Sequence, residues 1–377
     1  MSSSLFKKLR PLLWLFLLIY AACTLIPAGV SALGHLGDST EPVSANLTPS
    51  SSPSPSLSPS TSSTPTPTPT PAPDSSPEAT DQALPGFLDA RELPSSNQEE
   101  DVFTLYDSAT GETFQVSAEE FLPAALACEM DLSAPDEALK AQAVALYTFY
   151  CNQRARNDGD GADFACDTAN WLVYVPQTAM EERWGENFAS YYEKLQSITA
   201  EVRGQVLTWE GEPIQACFFA ISSGNTASAL EVWGQNLAYL PSVASPGDCL
   251  SDGYLSTVSF TAQQLQDAAK AAWGNGLDFA GPEEEWVKDL TISPSGYVTA
   301  ATVGGKTVTG EELREALGLR SACFSMSCQE GTFTFTVRGW GHGVGMSQAG
   351  AMYLANEGAS YQEILAHYYP GATLETQ

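Results

Sequence analysis

The spacing of apolar and polar positions changes period several times along this chain. Leu122, Ala125, Leu126 and Glu129 recur at helical spacing behind Ser117-Ala-Glu-Glu120, which has the form of a capping box. A helix is therefore expected to start near Ala118, with Pro123 tolerated if the first turn begins a little later. A second, Ala-rich helix is expected from Pro135 to near Arg156. Extended patterns at 204–209 and 214–220, separated by Glu210-Gly-Glu-Pro213, predict a hairpin. Further strands are expected at 256–260, 297–303 and 331–337, with helices at 261–273 and, after a Gly-rich loop over 338–348, through about Asn356. This order argues an α+β fold, a helical segment packed on antiparallel β structure, rather than a doubly wound sheet.

The first hundred residues follow different rules. Lys7, Lys8 and Arg10 precede an apolar run from Pro11 to about Val30, long enough to cross a bilayer. The positive flank places residues 1–10 in the cytoplasm, 11–31 in the membrane as a signal-anchor, and the rest outside, so a single-pass membrane protein is expected. Two readings compete with an uncleaved anchor. Val30-Ser-Ala32 has the small-x-small form of a signal-peptidase site, and Tyr20-Ala-Ala-Cys23 is a poor lipoprotein box. Residues 32–100 are a Ser/Thr/Pro-rich linker that includes Thr64-Pro-Thr-Pro-Thr-Pro-Thr-Pro71. Such a composition forms no core and favours extended chain reaching roughly 100 Å or more at about 3 Å per residue. The folded domain is then 101–377.

Charge narrows the partners. A net charge of -29 makes a nucleic-acid partner untenable, because phosphates are repelled. Binding to an anionic cell wall has to rest on shape, stacking and hydrogen bonds. Seven cysteines follow the apolar segment (Cys128, Cys151, Cys166, Cys217, Cys249, Cys323 and Cys328), an odd number that cannot all pair within one chain. Cys323 with Cys328, and Cys151 with Cys166, are spaced to close loops, but sequence does not fix connectivity. The histidines, His35, His342 and His367, lack zinc-like spacing, so no metal and no cofactor are expected.

Two features carry chemistry. Glu129 is a lone carboxylate on an apolar stripe, where a charge is expensive unless paired or held protonated at a raised pKa suited to a general acid. Its bland alternative is a helix-end carboxylate reaching solvent beyond Met130. The second feature is Arg338-Gly-Trp-Gly-His-Gly-Val-Gly-Met-Ser-Gln348, a Gly-rich loop between a strand and a helix. It lacks the third glycine of a dinucleotide fingerprint and the acidic ribose partner. The glycines are read instead as letting backbone N–H groups and the Trp340 ring approach a sugar. His342 is read either as a hydrogen-bonding partner of substrate or as a structural histidine fixing the loop.

Together Ala127-Cys-Glu-Met130, Glu137-Ala-Leu-Lys-Ala-Gln-Ala-Val-Ala145, Ser222-Ser-Gly-Asn-Thr226, Val232-Trp-Gly234, Tyr239-Leu-Pro-Ser-Val243, Gly339 to Gln348 and Tyr361 to Gly371 resemble the stage II sporulation protein D (SpoIID/LytB) family, in family order. The resemblance implies a membrane-anchored lytic transglycosylase that cuts peptide-free glycan strands of peptidoglycan during engulfment, with a cell-wall amidase and other engulfment proteins as partners. It implies Glu129 as the catalytic residue. Gln142, Tyr147, Ser222, Ser223, Asn225, Trp340, His342 and Gln348 are the implied substrate contacts.

The chain also departs from the family. Members typically carry Arg where Tyr147 stands, and His where Ala220 stands. Some bind zinc through a Cys/His cluster in the segment matching Asp163 to Tyr174, of which Cys166 alone remains. These losses keep a second function open, a catalytically impaired glycan-binding homologue that localises or activates an amidase. A third, a wall-spanning scaffold, has no use for a Gly-Trp-Gly-His-Gly loop.

Overall fold

The computed structural model describes residues 101–157 and 161–377. The anchor and linker expected at 1–100 lie outside the described residues. Strands β1 (Val102–Asp107) and β2 (Thr113–Ser117) pair antiparallel, with Val102 opposite Ser117. Ser117 ends the strand and caps α1 (Ala118–Glu129), its hydroxyl accepting the Glu120 N–H at 3.2 Å. Pro123 lies within α1, beyond the first turn, among residues buried from Phe121 to Leu126. A helix interior normally rejects proline; here the packing of both flanking turns outweighs the missing N–H.

Helix α2 (Asp136–Arg156) follows the expected bounds closely, and its buried Ala138, Ala141, Ala143 and Ala145 let neighbouring elements approach. Short β3 (Phe164–Cys166) joins β1 in parallel. Helices α3 (Gln177–Trp184) and α4 (Phe188–Glu201) come next. The expected hairpin forms between β4 (Gln205–Trp209) and β5 (Glu212–Pro213), turning at Glu210 and Gly211, both with positive φ. The long second strand expected at 214–220 does not form. Pro213 has no N–H to continue the ladder, and β6 (Phe218–Phe219) belongs to another pairing.

After α5 (Ala229–Trp233) the chain builds a second lobe. Its elements are β7 (Leu255–Thr261), α6 (Ala262–Trp273), β8 (Val287–Ile292), β9 (Val298–Val303), β10 (Lys306–Thr309), α7 (Gly310–Leu317), β11 (Phe324–Gln329) and β12 (Thr332–Arg338). Two antiparallel sheets, β10-β9-β8 and β11-β12-β7, enclose a core of its own that includes Leu265, Leu313, Phe333 and Phe335. The chain then returns through β13 (Met346–Ser347), α8 (Gln348–Asn356), α9 (Tyr361–Tyr368) and β14 (Thr373–Thr376). β13 pairs in parallel with β6, so the lobe is an insertion between two partners. The fold is α+β, with antiparallel sheets and two short parallel pairings.

All seven cysteines among the described residues are free thiols. Cys323 and Cys328 stand five positions apart along an extended strand, about 16 Å, beyond the ~7 Å limit of a disulfide. Cys151 and Cys166, buried on α2 and β3, remain unpaired as well.

Candidate active site

Glu129 is the last residue of α1 and is half-buried. The turn that follows is pinned: Lys194 on α4 donates to the carbonyls of Leu132 (2.8 Å) and Ala134 (3.3 Å) and pairs with Asp136 at 3.0 Å. From the opposite side the Gln348 amide nitrogen, at the start of α8, donates to the Glu129 carbonyl at 3.3 Å. The neighbouring Cys128 thiol is pushed well above its ordinary range, first by burial and then by the Glu129 charge, with Arg183 acting in the opposite direction.

The Gly-rich loop reaches this place by wrapping around residues 217–222. Trp340 and Ile221 exchange backbone hydrogen bonds at 2.7 and 3.0 Å, and the Ala220 carbonyl accepts the Ala349 N–H at 3.0 Å. The glycines serve that wrap. A Cβ on Gly341 (φ +112) would stand 2.7 Å from the Phe219 Cβ, and one on Gly345 (φ +84) would collide with the Cys217 backbone. Close approach of chain to chain is what these positions require.

His342 takes the loop-fixing role. Its Nδ1 accepts the Val344 N–H at 3.1 Å, and its ring packs between Phe219 (5.5 Å) and Trp233 (5.4 Å). Burial first, and the Arg314 charge second, lower its pKa to about 3, so the imidazole is neutral.

The other expected contacts divide. Ser222 is fully buried: its N–H donates to Asp248 Oδ2 at 2.6 Å and its hydroxyl accepts from Gly224 N–H at 3.1 Å. Gln142, also fully buried on α2, is closed to a ligand from solvent. Tyr147 is buried against Phe103 and donates to Asp101, which also pairs with Arg154. The Asp101 carbonyl accepts from Ala118, the first residue of α1, whereas Glu129 is the last. The 12-residue helix puts about 18 Å between its ends, so Tyr147 and Glu129 are not brought together. Ser223 and Trp340 are half-exposed and Asn225 is exposed, all on the stretch that wraps with the loop.

Sequence reasoning passed over Asp248. This carboxyl accepts from the Ser222 N–H and from the Ser245 hydroxyl (3.1 Å), while Ser245 in turn meets Tyr368 Oη at 2.7 Å. Burial raises its pKa against the pull of those hydrogen bonds. Its partners come from positions 222, 245 and 368, and no local pattern announces such a cluster. Among the described residues no three His, Cys, Asp or Glu side chains converge on a metal-sized point.

The site is thus a carboxylate at the end of a helix in an α+β domain, its backbone tied to the residue that follows the Gly-rich loop. The family model described as stage II sporulation protein, SpoIID, matches residues 106–209. The stage II sporulation protein D of Bacillus amyloliquefaciens is 35% identical over 274 residues, covering 72% of this chain and 77% of the relative. The protein of the same name from Bacillus subtilis (strain 168) is also 35% identical, with 78% of it covered. The amidase enhancer of Bacillus subtilis (strain 168) is 26% identical over 293 residues, covering 65% of this chain and 39% of that protein. The chain belongs to the SpoIID family.

Proposed function

We propose that the chain is a sporulation-linked peptidoglycan lytic transglycosylase, held at the membrane by its N-terminal segment and acting on peptide-free glycan strands. The reading rests above all on Glu129, half-buried at the end of α1 and seated by Gln348 of the Gly-rich segment. In the proposed reaction the Glu129 carboxylic acid gives its proton to the glycosidic oxygen as the bond from muramic acid C1 breaks. The resulting carboxylate takes the proton of that sugar's C6 hydroxyl, whose oxygen bonds to C1 and closes a 1,6-anhydro ring. The carboxyl ends protonated, no water is consumed, and the second carboxylate of ordinary glycosidases is dispensable. Ser223, Asn225 and Trp340 contact the strand, and Gln348 positions Glu129.

The test is to incubate the full-length chain with peptide-free strands and read product ends by mass spectrometry. The reading expects 1,6-anhydro ends that vanish in Glu129→Gln. Intact strands that still bind would favour the second reading, a glycan-binding protein that localises or activates an amidase. That reading draws on the amidase enhancer relative and on Tyr147 and Ala220, where the family's usual Arg and His are replaced.

A further inference from the structure

The turn between β8 and β9 is buried, where a connecting turn ordinarily faces solvent. Ser295 is 7% exposed and Tyr297 only 1%. Ser293 closes the turn, its N–H donating to the Tyr297 carbonyl at 2.8 Å and its carbonyl accepting the Gly296 N–H at 2.9 Å. The tip then crosses to α5, where the Ser295 hydroxyl donates to Glu231 Oε2 at 3.0 Å. The inserted lobe is pegged into the body of the domain by its own turn.

What the peg reaches is Ser223. The stretch around it is held on either side by residues 243–248: the Ser222 N–H donates to Asp248, and the Thr226 N–H to the Val243 carbonyl at 2.8 Å. Ser223 itself is held from the inserted lobe. Its N–H donates to Tyr297 Oη at 3.4 Å, and its carbonyl accepts from Oη of Tyr254, which leads into β7, at 3.0 Å. Its hydroxyl donates to the carbonyls of Ser295 and Asn225, each at 3.3 Å. Both main-chain groups of this half-exposed residue therefore end on phenol oxygens. Tyr297 also lies under the Gly-rich loop, where a Cβ on Gly343 (φ +84) would stand 2.6 Å from its ring. The ring is fixed by that packing, whereas the next residue after Ser223 is a glycine at φ +104, a joint that needs holding.

We propose that Tyr297 and Tyr254 are positioning residues for strand binding. They hold the Ser223 peptide so that the Ser223 and Asn225 side chains meet a glycan strand already in place. A surface stretch that orders only on binding gives up part of its contact energy to that ordering, and one ordered beforehand does not. The inserted lobe thereby acquires a task, presenting the strand-contact stretch from beneath. The inference rests on the glycan-strand reading above and concerns how that strand is gripped.

The test uses the full-length chain carrying Glu129→Gln, so that strands stay whole. Affinity for peptide-free strands is read by co-sedimentation, well below the unfolding midpoint. Tyr254→Phe and Tyr297→Phe are each expected to bind about fivefold more weakly, the weight of one hydrogen bond. Tyr106→Phe, at a tyrosine 42% exposed on β1, is the control and should bind as its parent does. The tyrosines act through the contacts they present. With Ser223→Ala and Asn225→Ala both in place, Tyr254→Phe should change binding by less than about twofold. A merely structural role would lower the urea midpoint and leave the affinity of the folded chain unmoved. In the chain with Glu129 intact, the loss should appear in KM with kcat kept. Parent-like binding in both tyrosine variants overturns the inference, and so does a loss that survives intact in the Ser223→Ala, Asn225→Ala chain. If anhydro ends form and both tyrosine variants bind and cut like the parent, this inference fails and the transglycosylase reading stands. If nothing is cut yet both variants lose binding, the outcome is reversed. A parent chain that binds no strand sinks both.

Discussion

Gln348 Nε2 holds the main-chain carbonyl of Glu129 at 3.3 Å across 219 residues of sequence. The bond ties the first residue of α8 to the last residue of α1, so the segment after the loop fixes the backbone that carries the carboxylate. Gln348→Ala is expected to lower strand cleavage about tenfold through misorientation, with strand binding kept and stability down by only about 1 kcal/mol. Product-end counts against binding isotherms check it. Equal loss of both would make Gln348 a binding residue.

Gly350 lies in α8 against the Asp248 network. A Cβ there would overlap the Tyr368 and Ser245 hydroxyls and come 2.7 Å from Asp248 Oδ1. Gly350→Ala, ordinarily favourable in a helix, should here destabilise by about 1–3 kcal/mol. Adding Tyr368→Phe, which removes one overlapping hydroxyl, should recover part of that loss. Urea midpoints of the two variants decide it.

His342 makes stability pH-dependent. Its folded pKa of about 3 lies below the unfolded value near 6.5, so between these the unfolded chain binds a proton that the folded chain refuses. Stability should therefore fall as pH drops through that window, by at most about 1.4 kcal/mol per unit from this group. Asp248 and Glu311, whose pKa values burial raises, act in the opposite sense. Comparison with His342→Gln cancels them; the variant's midpoint should slope less between pH 6.5 and 4.

Tyr147 stands where the family's arginine is usual, yet here it serves the far end of α1 by donating to Asp101. Tyr147→Phe should cost about 1 kcal/mol of stability and leave cleavage at Glu129 unchanged. A large loss of cleavage at full stability would place Tyr147 in the reaction.

What was legible in the sequence was local. Ser117 announced α1, the pattern of 261–273 announced α6, and the alternation of 331–337 announced β12. Glu129 stood out because a carboxylate interrupts an apolar stripe. The glycines of 339–345 were visible but their use was not, because the chain they press against lies some 120 residues earlier. Ser222 reads as an exposed polar residue until Asp248, from a different loop, closes over its N–H. The long strand at 214–220 failed for a related reason: β6 finds its partner at Met346, not in the adjacent hairpin. Pairing across such distances leaves no trace in a window of a dozen residues.

The insertion of the smaller lobe between β6 and β13 also sets an order of events. A chain made from its N-terminus completes α1 and β6 early, then must produce the whole lobe before Met346 and Gln348 exist to meet them. The lobe closes from neighbouring hairpins, whereas the seat of Glu129 waits for a contact 219 residues further along the chain. Glu129 thus spends the interval of synthesis without its clamp, and the fold itself delays the moment at which the carboxylate can be aimed.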